Sequence, residues 1–288
     1  MPVEQIGDKV VAALPGGSSV EVLLWGATVI SWKAPAPGST DIKERFFVSS
    51  KAALDGSKPV RGGIPIVFPF FGGATLEEHK PFASHGFARS EKWSYLGTAF
   101  ETVDSISLKF ELLPTPDVKS KWPQPFHLEY FVTISNHELG TKFQVTNPAD
   151  SPSPLKHQAL LHNYLAAAAN SVTITPLKGL TYKDKILNSA EAKEERDEVD
   201  VRLVTDRVYA SAPGTYDIKW TGGGMNIKTT GFPDVVIWNP QEEVGSKIGD
   251  MEDKGWERYV CVEPGLVSGW NEITPGETWR GTQLFIPL

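Results

Sequence analysis

Cysteine is almost absent from this sequence, which contains one thiol, Cys261, in 288 residues. No disulfide bond can therefore form within the chain. Cys261 lies between Val260 and Val262, and a cysteine in such an apolar run usually behaves as a small hydrophobic residue. We expect it to be buried.

Long hydrophobic runs are also absent, which argues against a membrane-spanning helix. Such a helix needs about 20 consecutive, mostly apolar residues. The longest apolar tracts, such as ALLHNYLAAAA, are shorter and are interrupted by polar residues. The first residues, MPVEQIGDKV, have neither the basic start nor the apolar stretch of a signal peptide. We therefore expect a cytoplasmic protein that does not bind membranes.

The sequence lacks the motifs of several large enzyme classes. It contains no P-loop, no GxGxxG at a helix start, no HExxH and no GxSxG. Nucleotide-dependent, zinc-peptidase and serine-hydrolase functions therefore have no support, and we expect no cofactor and no metal ion. The formal net charge of −7 also argues against nucleic acid as a partner. A small anion held by a few local cations remains compatible with this charge.

What the chain does contain is a series of short strands. Its 22 prolines and 26 glycines are spread along the whole length and separate runs in which apolar residues alternate. SISLKFEL and FHLEYFVTI are two such runs. Helical signals are weak, since the charged segment LNSAEAKEERDEVD has no apolar stripe and predicts a solvated excursion with at most a turn or two of helix. The pattern predicts an all-β protein, a large antiparallel β-sandwich that forms a single domain over residues 1–288.

Two segments combine basic residues with glycines. Arg61 precedes a pair of glycines in VRGGIPIVFPFFGG, and His85 and Arg89 flank Gly86 in SHGFAR. Glycine lets a ligand approach the backbone closely, and the planar guanidinium group suits a carboxylate or a phosphate. The alternative for each segment is an ordinary surface turn.

The histidines differ in their surroundings. His162 lies in the apolar segment HQALLHNYLAA, where a catalytic group and a buried core histidine are both reasonable interpretations. His157 comes five residues earlier, an odd offset that places the two side chains on opposite faces of a strand. No Cys, Asp or Glu is close to them in sequence, so a metal site is not expected. We interpret His79, His127 and His137 as surface residues.

Acidic and aromatic residues break the apolar pattern near the C-terminus. Glu263 follows the apolar run YVCV, and we expect Pro264 and Gly265 to end that strand sharply. Carboxylates are seldom buried without a partner, so Glu263 is either a site residue or a solvated strand-end acid. Asp206 is open to the same two interpretations, with an ion pair to its neighbour as the structural alternative. Trp238 is a candidate stacking surface for a sugar or, equally, a core residue.

These residues lie in motifs that together resemble the aldose 1-epimerase superfamily, and more narrowly its hexose-6-phosphate branch. The resemblance extends from about residue 5 to residue 288. The motifs occur in the family order: GATVISW, RGGIPIVFPFFG, HGFAR, LLHNYL, DRVY, VVIWNP and VCVEPG.

The resemblance implies a β-sandwich of the galactose-mutarotase type with a site on one sheet. It also implies that His162 and Glu263 are catalytic, and that Arg61, Arg89 and Asp206 bind the substrate. Some family members have Gln where this chain has Ser84, and the shorter serine side chain would lose or lengthen a sugar contact. The complete set of expected substrate-binding positions is Arg61, Ser84, His85, Arg89, Asp206 and Trp238.

The chemistry of this family is consistent with these residue types. Exchange of sugar anomers opens and closes the ring, which requires one base and one acid but no nucleophile, metal or redox cofactor. We expect Glu263 to be the base and His162 the acid, in a monomer whose partner is a small sugar phosphate. Two alternatives remain at this point: a non-catalytic sugar-phosphate sensor, and a glycoside hydrolase that uses Asp206 and Glu263.

Overall fold

A computed structural model describes residues 2–288, which form three β-sheets with short helical segments between the strands. The strands are β1 (Val3–Ile6), β2 (Lys9–Ala13), β3 (Ser19–Leu23), β4 (Thr28–Ala34), β5 (Lys43–Glu44), β6 (Ile66–Val67), β7 (Ser94–Glu101), β8 (Ser105–Leu112), β9 (His127–Ser135), β10 (Leu139–Thr146), β11 (Leu155–Leu161), β12 (Tyr164–Ala166), β13 (Thr173–Thr175), β14 (Thr181–Asp184), β15 (Ala190–Lys193), β16 (Thr205–Tyr209), β17 (Thr215–Trp220), β18 (Gly223–Thr230), β19 (Asp234–Asn239), β20 (Tyr259–Ile273) and β21 (Thr278–Pro287). The α-helices are α1 (Pro116–Lys121) and α2 (Gln241–Gly245), and the 3₁₀ turns are Glu77–His79, Ala88–Ser90, Ala169–Ser171, Lys185–Leu187 and Gly255–Arg258.

The strands pair into sheets that we call A, B and C. Sheet A has the order β1-β2-β3-β4-β5. Sheet B is eight-stranded, with the order β13-β17-β18-β21-β10-β9-β8-β7. Sheet C, also eight-stranded, has the order β15-β14-β16-β19-β20-β11-β6, and β12 pairs with β20 beside β11. The paired strands in all three sheets run antiparallel.

Sheets B and C enclose the main core. The alternation that predicted β8 and β9 is confirmed, because the apolar residues of one face of each strand are buried. Phe110 and Phe143 from sheet B enter the same hydrophobic cluster as Leu161, Ile237 and Val262 from sheet C. The predicted large antiparallel β-sandwich is therefore confirmed. This shared cluster also supports our proposal that residues 1–288 form one domain.

One face of sheet C packs on the main core, and the opposite face is covered only in part. In β20, Val260 and Val262 enter the main core, whereas Tyr259 and Cys261 pack on the opposite face. Glu263 has the same parity as Tyr259 and Cys261, so it also lies on that opposite face. Two small clusters cover parts of this face. The first is Phe47, Tyr164, Met251, Trp256, Tyr259 and Cys261, and the second is Val67, Leu160, Val208, Val236 and Val267.

The expected strand end after Glu263 is wrong. β20 continues from Tyr259 to Ile273, so Glu263 is an interior residue of a central strand. A proline is tolerated there because β12 pairs with residues 259–261 and β11 resumes pairing at Gly265, which leaves Pro264 between the two partners on that side. On the other side β19 pairs without interruption, with Val235 opposite Pro264.

The charged excursion is also structured differently from the expectation. It contains one 3₁₀ turn, Lys185–Leu187, and then the exposed strand β15, which pairs with β14 as a hairpin. Pairing with β14 satisfies the backbone hydrogen-bonding groups of this segment. A helix would satisfy them too, but without an apolar stripe it would gain no stability from packing against the core. Across residues 2–288, no helix is long and apolar enough to cross a membrane.

Candidate active site

The sequence-predicted site residues converge on one cavity of about 280 Å³ on the face of sheet C away from the main core. The residues that line it are Arg61, Phe71, Ser84, His85, Arg89, His162, Lys185, Asp206, Val236, Trp238 and Glu263. Every side chain proposed from the sequence is in this set, although they come from distant parts of the chain. Phe71, Val236 and Lys185 were not anticipated. Phe71 and Val236 lie within the motifs RGGIPIVFPFFG and VVIWNP, but as apolar residues they carried no chemical signal. Lys185 lies in the charged excursion, where no local pattern distinguishes it.

Glu263 and His162 form the floor of the cavity. His162 Nδ1 lies 3.5 Å from Glu263 Oε1. Glu263 is 1% exposed and His162 is 8% exposed. Within the described part of the chain, neither carboxylate oxygen nor His162 Nδ1 has a hydrogen-bond partner. Buried polar atoms without partners are costly, and such atoms facing a cavity are typical of a site that binds or reacts.

The environment shifts the pKa values of this pair in opposite directions. Burial, reinforced by the negative charge of Asp206, raises the pKa of Glu263 well above its usual range. Burial also lowers the pKa of His162 well below its usual range, with further lowering from His85, Arg89 and Arg61. Both shifts favour the neutral forms, a protonated carboxyl group on Glu263 and an uncharged imidazole on His162.

The position of His162 depends on the junction between β11 and β12. His162 N donates to Pro65 O at 3.0 Å. The side-chain amide of the next residue, Asn163, is buried and supplies further hydrogen bonds where β11 ends. Asn163 Nδ2 donates to Val262 O at 2.9 Å and to Gln283 Oε1 at 2.8 Å, and Gln283 Nε2 donates back to Asn163 Oδ1 at 3.0 Å. The ring of His162 stacks on Tyr164 at 4.8 Å. The LLHNYL segment therefore fixes the imidazole opposite Glu263.

The two arginines are held by different partners. Arg61 Nε donates to Asp250 Oδ1 at 3.0 Å and Nη1 donates to Tyr164 OH at 3.2 Å, so its charge is already balanced by a carboxylate. Arg89 Nη2 donates to the carbonyl of Ser84 at 2.9 Å. Burial lowers the pKa of Arg89 to about 10, which still leaves it charged at neutral pH. Arg89 is thus the cation better able to accept an anionic ligand.

Ser84 and His85 sit on the rim of the cavity as polar groups with fixed orientations. Ser84 Oγ donates to Gly72 O at 3.0 Å, so this hydroxyl anchors a loop while its carbonyl holds Arg89. His85 Nδ1 accepts the N–H of Gly72 at 3.3 Å. Burial, with help from Arg89, lowers the pKa of His85 to about 2. A neutral ring that accepts at Nδ1 carries its hydrogen on Nε2, so His85 is a hydrogen-bond donor at that atom.

Asp206, Trp238 and Lys185 form the remaining wall. Asp206 pairs across the strands with Trp238, and Trp238 pairs with Cys261, so these three residues lie in one row across sheet C. Burial raises the pKa of Asp206, and the ammonium of Lys185 opposes that effect. Lys185 Nζ lies 3.3 Å from Asp206 Oδ2. The ring of Trp238 lies 5.7 Å from that of His162 and presents an amphipathic surface at the cavity.

The glycines of the RGG and HG segments serve the backbone rather than a ligand. A Cβ on Gly63 would lie 2.0 Å from Val29 O, and one on Gly86 would lie 2.1 Å from Phe68 O. Gly86 also has φ +73. The expectation that these glycines open space for a ligand is therefore wrong, because the backbone of neighbouring segments occupies that space.

We expect Gly86→Ala to lower the free energy of unfolding by about 3 kcal/mol, since it adds a backbone clash to an unfavourable φ. Gly38→Ala is the matched control, because Gly38 has φ +79 and a Cβ added there would meet no atom within 4 Å. It should cost about 1 kcal/mol. Urea unfolding of both variants measures the difference. Equal losses would show that the contact with Phe68 O is unimportant.

Three donors near the cavity floor could in principle hold a metal ion. His162, Cys261 and Glu263 each offer an atom, and these atoms lie within 4.8 Å of one another. The argument from sequence distance missed this grouping, because the Cys and Glu come from β20. However, Arg61, Arg89 and Lys185 line the same cavity. A metal cation there would be repelled by these positive charges.

The structure also shows where the histidines outside the cavity lie. His157 lies in the core beside Phe68, on the face opposite His162, as the odd offset predicts. His79 is 0% exposed and stacks on Phe70 at 4.9 Å, so its assignment to the surface is wrong. Its charged neighbours in sequence point outward while the 3₁₀ turn Glu77–His79 directs the imidazole inward.

Comparisons with known proteins agree with this architecture. The "putative mutarotase (YeaD)" of Salmonella typhimurium superimposes with a TM-score of 0.86 over 99% of this chain and 92% of that chain, at 24% identity. A galactose mutarotase-like protein of Lactobacillus casei superimposes with a TM-score of 0.70 over 99% of both chains, at 15% identity. The galactose-mutarotase type of β-sandwich is therefore confirmed.

Sequence comparisons identify the family. A protein of Cenchrus ciliaris named "Putative glucose-6-phosphate 1-epimerase" is 28% identical over 286 residues, which covers 95% of this chain and 83% of that protein. A protein of the same name from Escherichia coli K12 is 27% identical over 255 residues, with 87% of this chain and 81% of that protein covered. The family model described as aldose 1-epimerase matches residues 8–285. The chain therefore belongs to the aldose 1-epimerase family.

Proposed function

We propose that this protein interconverts the α and β anomers of hexose 6-phosphates, with glucose 6-phosphate as the favoured substrate. Family membership supports an activity on sugar anomers, and the names of the relatives point to glucose 6-phosphate. The observation that carries the proposal is the buried Glu263–His162 pair. Its polar atoms have no hydrogen-bond partner among residues 2–288 and line a cavity that also holds Arg61 and Arg89.

The pair supplies the proton chemistry that ring opening needs. Glu263 removes the proton of the C1 hydroxyl while His162 donates a proton to the ring oxygen, so that the C1–O5 bond breaks. Rotation about C1–C2 and closure with the roles reversed give the other anomer. The pair starts and ends with one proton, so the catalyst is regenerated without a cofactor.

The shifted pKa values strengthen both partners in these roles. A carboxylate with a raised pKa is a stronger base, and an imidazolium with a lowered pKa is a stronger acid. The proton that resides on Glu263 must pass to His162 to reach the reactive form. The 3.5 Å separation between Nδ1 and Oε1 is suited to such a transfer once substrate tightens the contact. Nε2 is then the nitrogen that reaches the ring oxygen.

The cations of the cavity give a reason for a phosphorylated substrate. A phosphate monoester is close to a dianion at neutral pH, because its second pKa is about 6. Arg61 and Arg89 line the cavity, and a guanidinium group binds phosphate through two parallel hydrogen bonds. We assign the sugar ring to Asp206, His85 and Trp238, with Ser84 at the rim. Local cations act over roughly 8 Å at physiological salt, so the net charge of −7 does not oppose this binding.

Magnetisation-transfer NMR of glucose 6-phosphate tests the proposal directly. The wild-type protein should accelerate exchange between the two anomers above the buffer rate, and it should accelerate exchange of glucose less. An aryl glycoside should remain intact. Exchange at the buffer rate with tight binding of glucose 6-phosphate would favour the sensor, and release of the aryl group would favour a glycoside hydrolase.

We expect His162 to stay neutral as the pH falls from 7.5 to 5.5. Its pKa lies well below the ordinary value of about 6.5, so protonation begins only at more acidic pH. On the alkaline side, activity should fall as pH rises through the raised pKa of Glu263, because the pair then loses its only proton. Nitrogen-15 NMR of the imidazoles measures the protonation of His162, and the pH profile of kcat/KM measures the alkaline loss of activity. A His162 ring that titrates near pH 6.5 would contradict the shift.

A further inference from the structure

Lys185 is a cavity residue that neither the motifs nor the resemblance singled out. Its Nζ lies 3.3 Å from Asp206 Oδ2 and 4.6 Å from the centre of the Phe71 ring. Its side chain is 33% exposed, so the ammonium is placed at the cavity wall with access from solvent. The contact to Asp206 occupies a carboxylate that we assign to the sugar ring.

The backbone that carries Lys185 is fixed, whereas its side chain is long and flexible. Asp184 precedes it, accepts the N–H of Ile186 at 3.1 Å and pairs with Arg207 Nε at 3.0 Å. Asn188 then adopts φ +55 and closes the turn. A lysine on such an anchored turn can move its ammonium between neighbouring partners without moving the chain.

The three cations of the cavity differ in how their charges are balanced. Arg61 is balanced by Asp250, and Lys185 is balanced by Asp206. Arg89 hydrogen-bonds to a carbonyl, so it is the cavity cation with no carboxylate contact in the part of the chain that the structure describes. A dianionic phosphate bound at Arg89 would need a second positive charge. Lys185 holds its partner through one contact, whereas Arg61 is held by both Asp250 and Tyr164, so Lys185 is the easier cation to recruit.

We propose that Lys185 determines specificity for phosphorylated sugars by exchanging Asp206 for the phosphate of the substrate. The inference rests on the proposed function, since it names how that same site recognises its substrate class. The exchange has two consequences. The ammonium neutralises part of the phosphate charge, and the Asp206 carboxylate becomes available to accept hydrogen bonds from the sugar hydroxyls.

An unphosphorylated sugar cannot trigger this exchange. It offers no anion to Lys185, so Asp206 remains in its ion pair and the ring is held less well. Specificity then arises from a coupled pair of contacts rather than from phosphate affinity alone. A lysine that merely supported the fold would affect phosphorylated and unphosphorylated sugars equally, which separates the two roles experimentally.

The test compares Lys185→Met with Lys183→Met. Methionine keeps the length of the stem and removes the charge, and Lys183 is an exposed lysine on β14 whose Nζ lies 3.6 Å from Glu191. For Lys185→Met we expect KM for glucose 6-phosphate to rise about 10-fold with kcat little changed, and exchange of glucose not to fall. Inorganic phosphate, titrated by calorimetry, should bind about 10-fold more weakly. Lys183→Met should match wild type in each measurement, and Lys185→Arg should recover most of the phosphate affinity.

Two results would overturn the exchange. One is unchanged phosphate affinity in Lys185→Met, and the other is an equal loss of activity on both sugars. The phosphate titration does not depend on turnover. A wild type that leaves anomer exchange at the buffer rate would therefore refute the proposed function, while the titration would still decide whether Lys185 binds phosphate. Melting curves for each variant confirm that the comparison is made on folded protein.

Discussion

Replacing Glu263 with Gln is expected to slow anomer exchange of glucose 6-phosphate by about 10²- to 10⁴-fold. The amide has the shape of the carboxyl group but cannot take the proton of the C1 hydroxyl. It also cannot share a proton with His162, 3.5 Å away. The loss should fall on kcat, because the phosphate and ring contacts remain. Magnetisation-transfer NMR at saturating substrate measures it.

Glu272→Gln is the matched control for this experiment. Glu272 lies on the same strand, β20, and its side chain is 62% exposed beside Lys156. This variant should keep the wild-type rate. A rate for Glu263→Gln within a few-fold of wild type would remove Glu263 from the mechanism, and with it the enzymatic interpretation of the cavity floor.

Stability provides a second readout for the same variant. The raised pKa of Glu263 means that the folded protein binds a proton that the unfolded chain releases, so the contribution of this residue to stability declines as pH rises through that pKa. Glutamine has no such term. We therefore expect the melting temperature of Glu263→Gln, relative to wild type, to increase from pH 5 to pH 8. Loss of activity together with a relative stability that rises with pH identifies a residue retained for function.

The sequence predicted the sandwich well because alternation in β8 and β9 reports directly which face is buried. The eight side chains proposed from the sequence line one cavity, since ordered motifs marked residues that the topology brings together. The spacing of His157 and His162 was sufficient to place them on opposite faces. These successes share a cause: each depends on a local period or a local motif.

The failures depend on partners that are distant in sequence. Pro264 and Gly265 were expected to end a strand, but the gap between β11 and β12 lets β20 continue past the proline. Lys185 belongs to the site only because β14 lies next to β16, which brings it to Asp206. His79 is buried by aromatic residues that include Trp270, far along the chain. Contacts with segments distant in sequence, rather than any property of the segments themselves, decided each case.

Replacing Arg89 with Met is expected to lower kcat/KM for glucose 6-phosphate by about 10²-fold, because a guanidinium that binds phosphate contributes two charge-assisted hydrogen bonds. Exchange of glucose should change little. Arg89 is a cleaner probe of phosphate recognition than Arg61. Arg89 hydrogen-bonds to the Ser84 carbonyl. Loss of Arg61, in contrast, would leave Asp250 and the hydroxyl of Tyr164 without their hydrogen-bond donor.

The comparison with Arg61 makes the result interpretable. Arg61→Met should lower activity and also the free energy of unfolding, by about 1–3 kcal/mol, since it leaves a partly buried carboxylate without its cation. Arg89→Met should show the selective loss with little change in urea midpoint. The ratio of glucose 6-phosphate to glucose activity is the decisive quantity, because a damaged catalytic pair would lower both activities together. An unchanged ratio in Arg89→Met would place the phosphate elsewhere and leave the cavity as a site for unphosphorylated sugars.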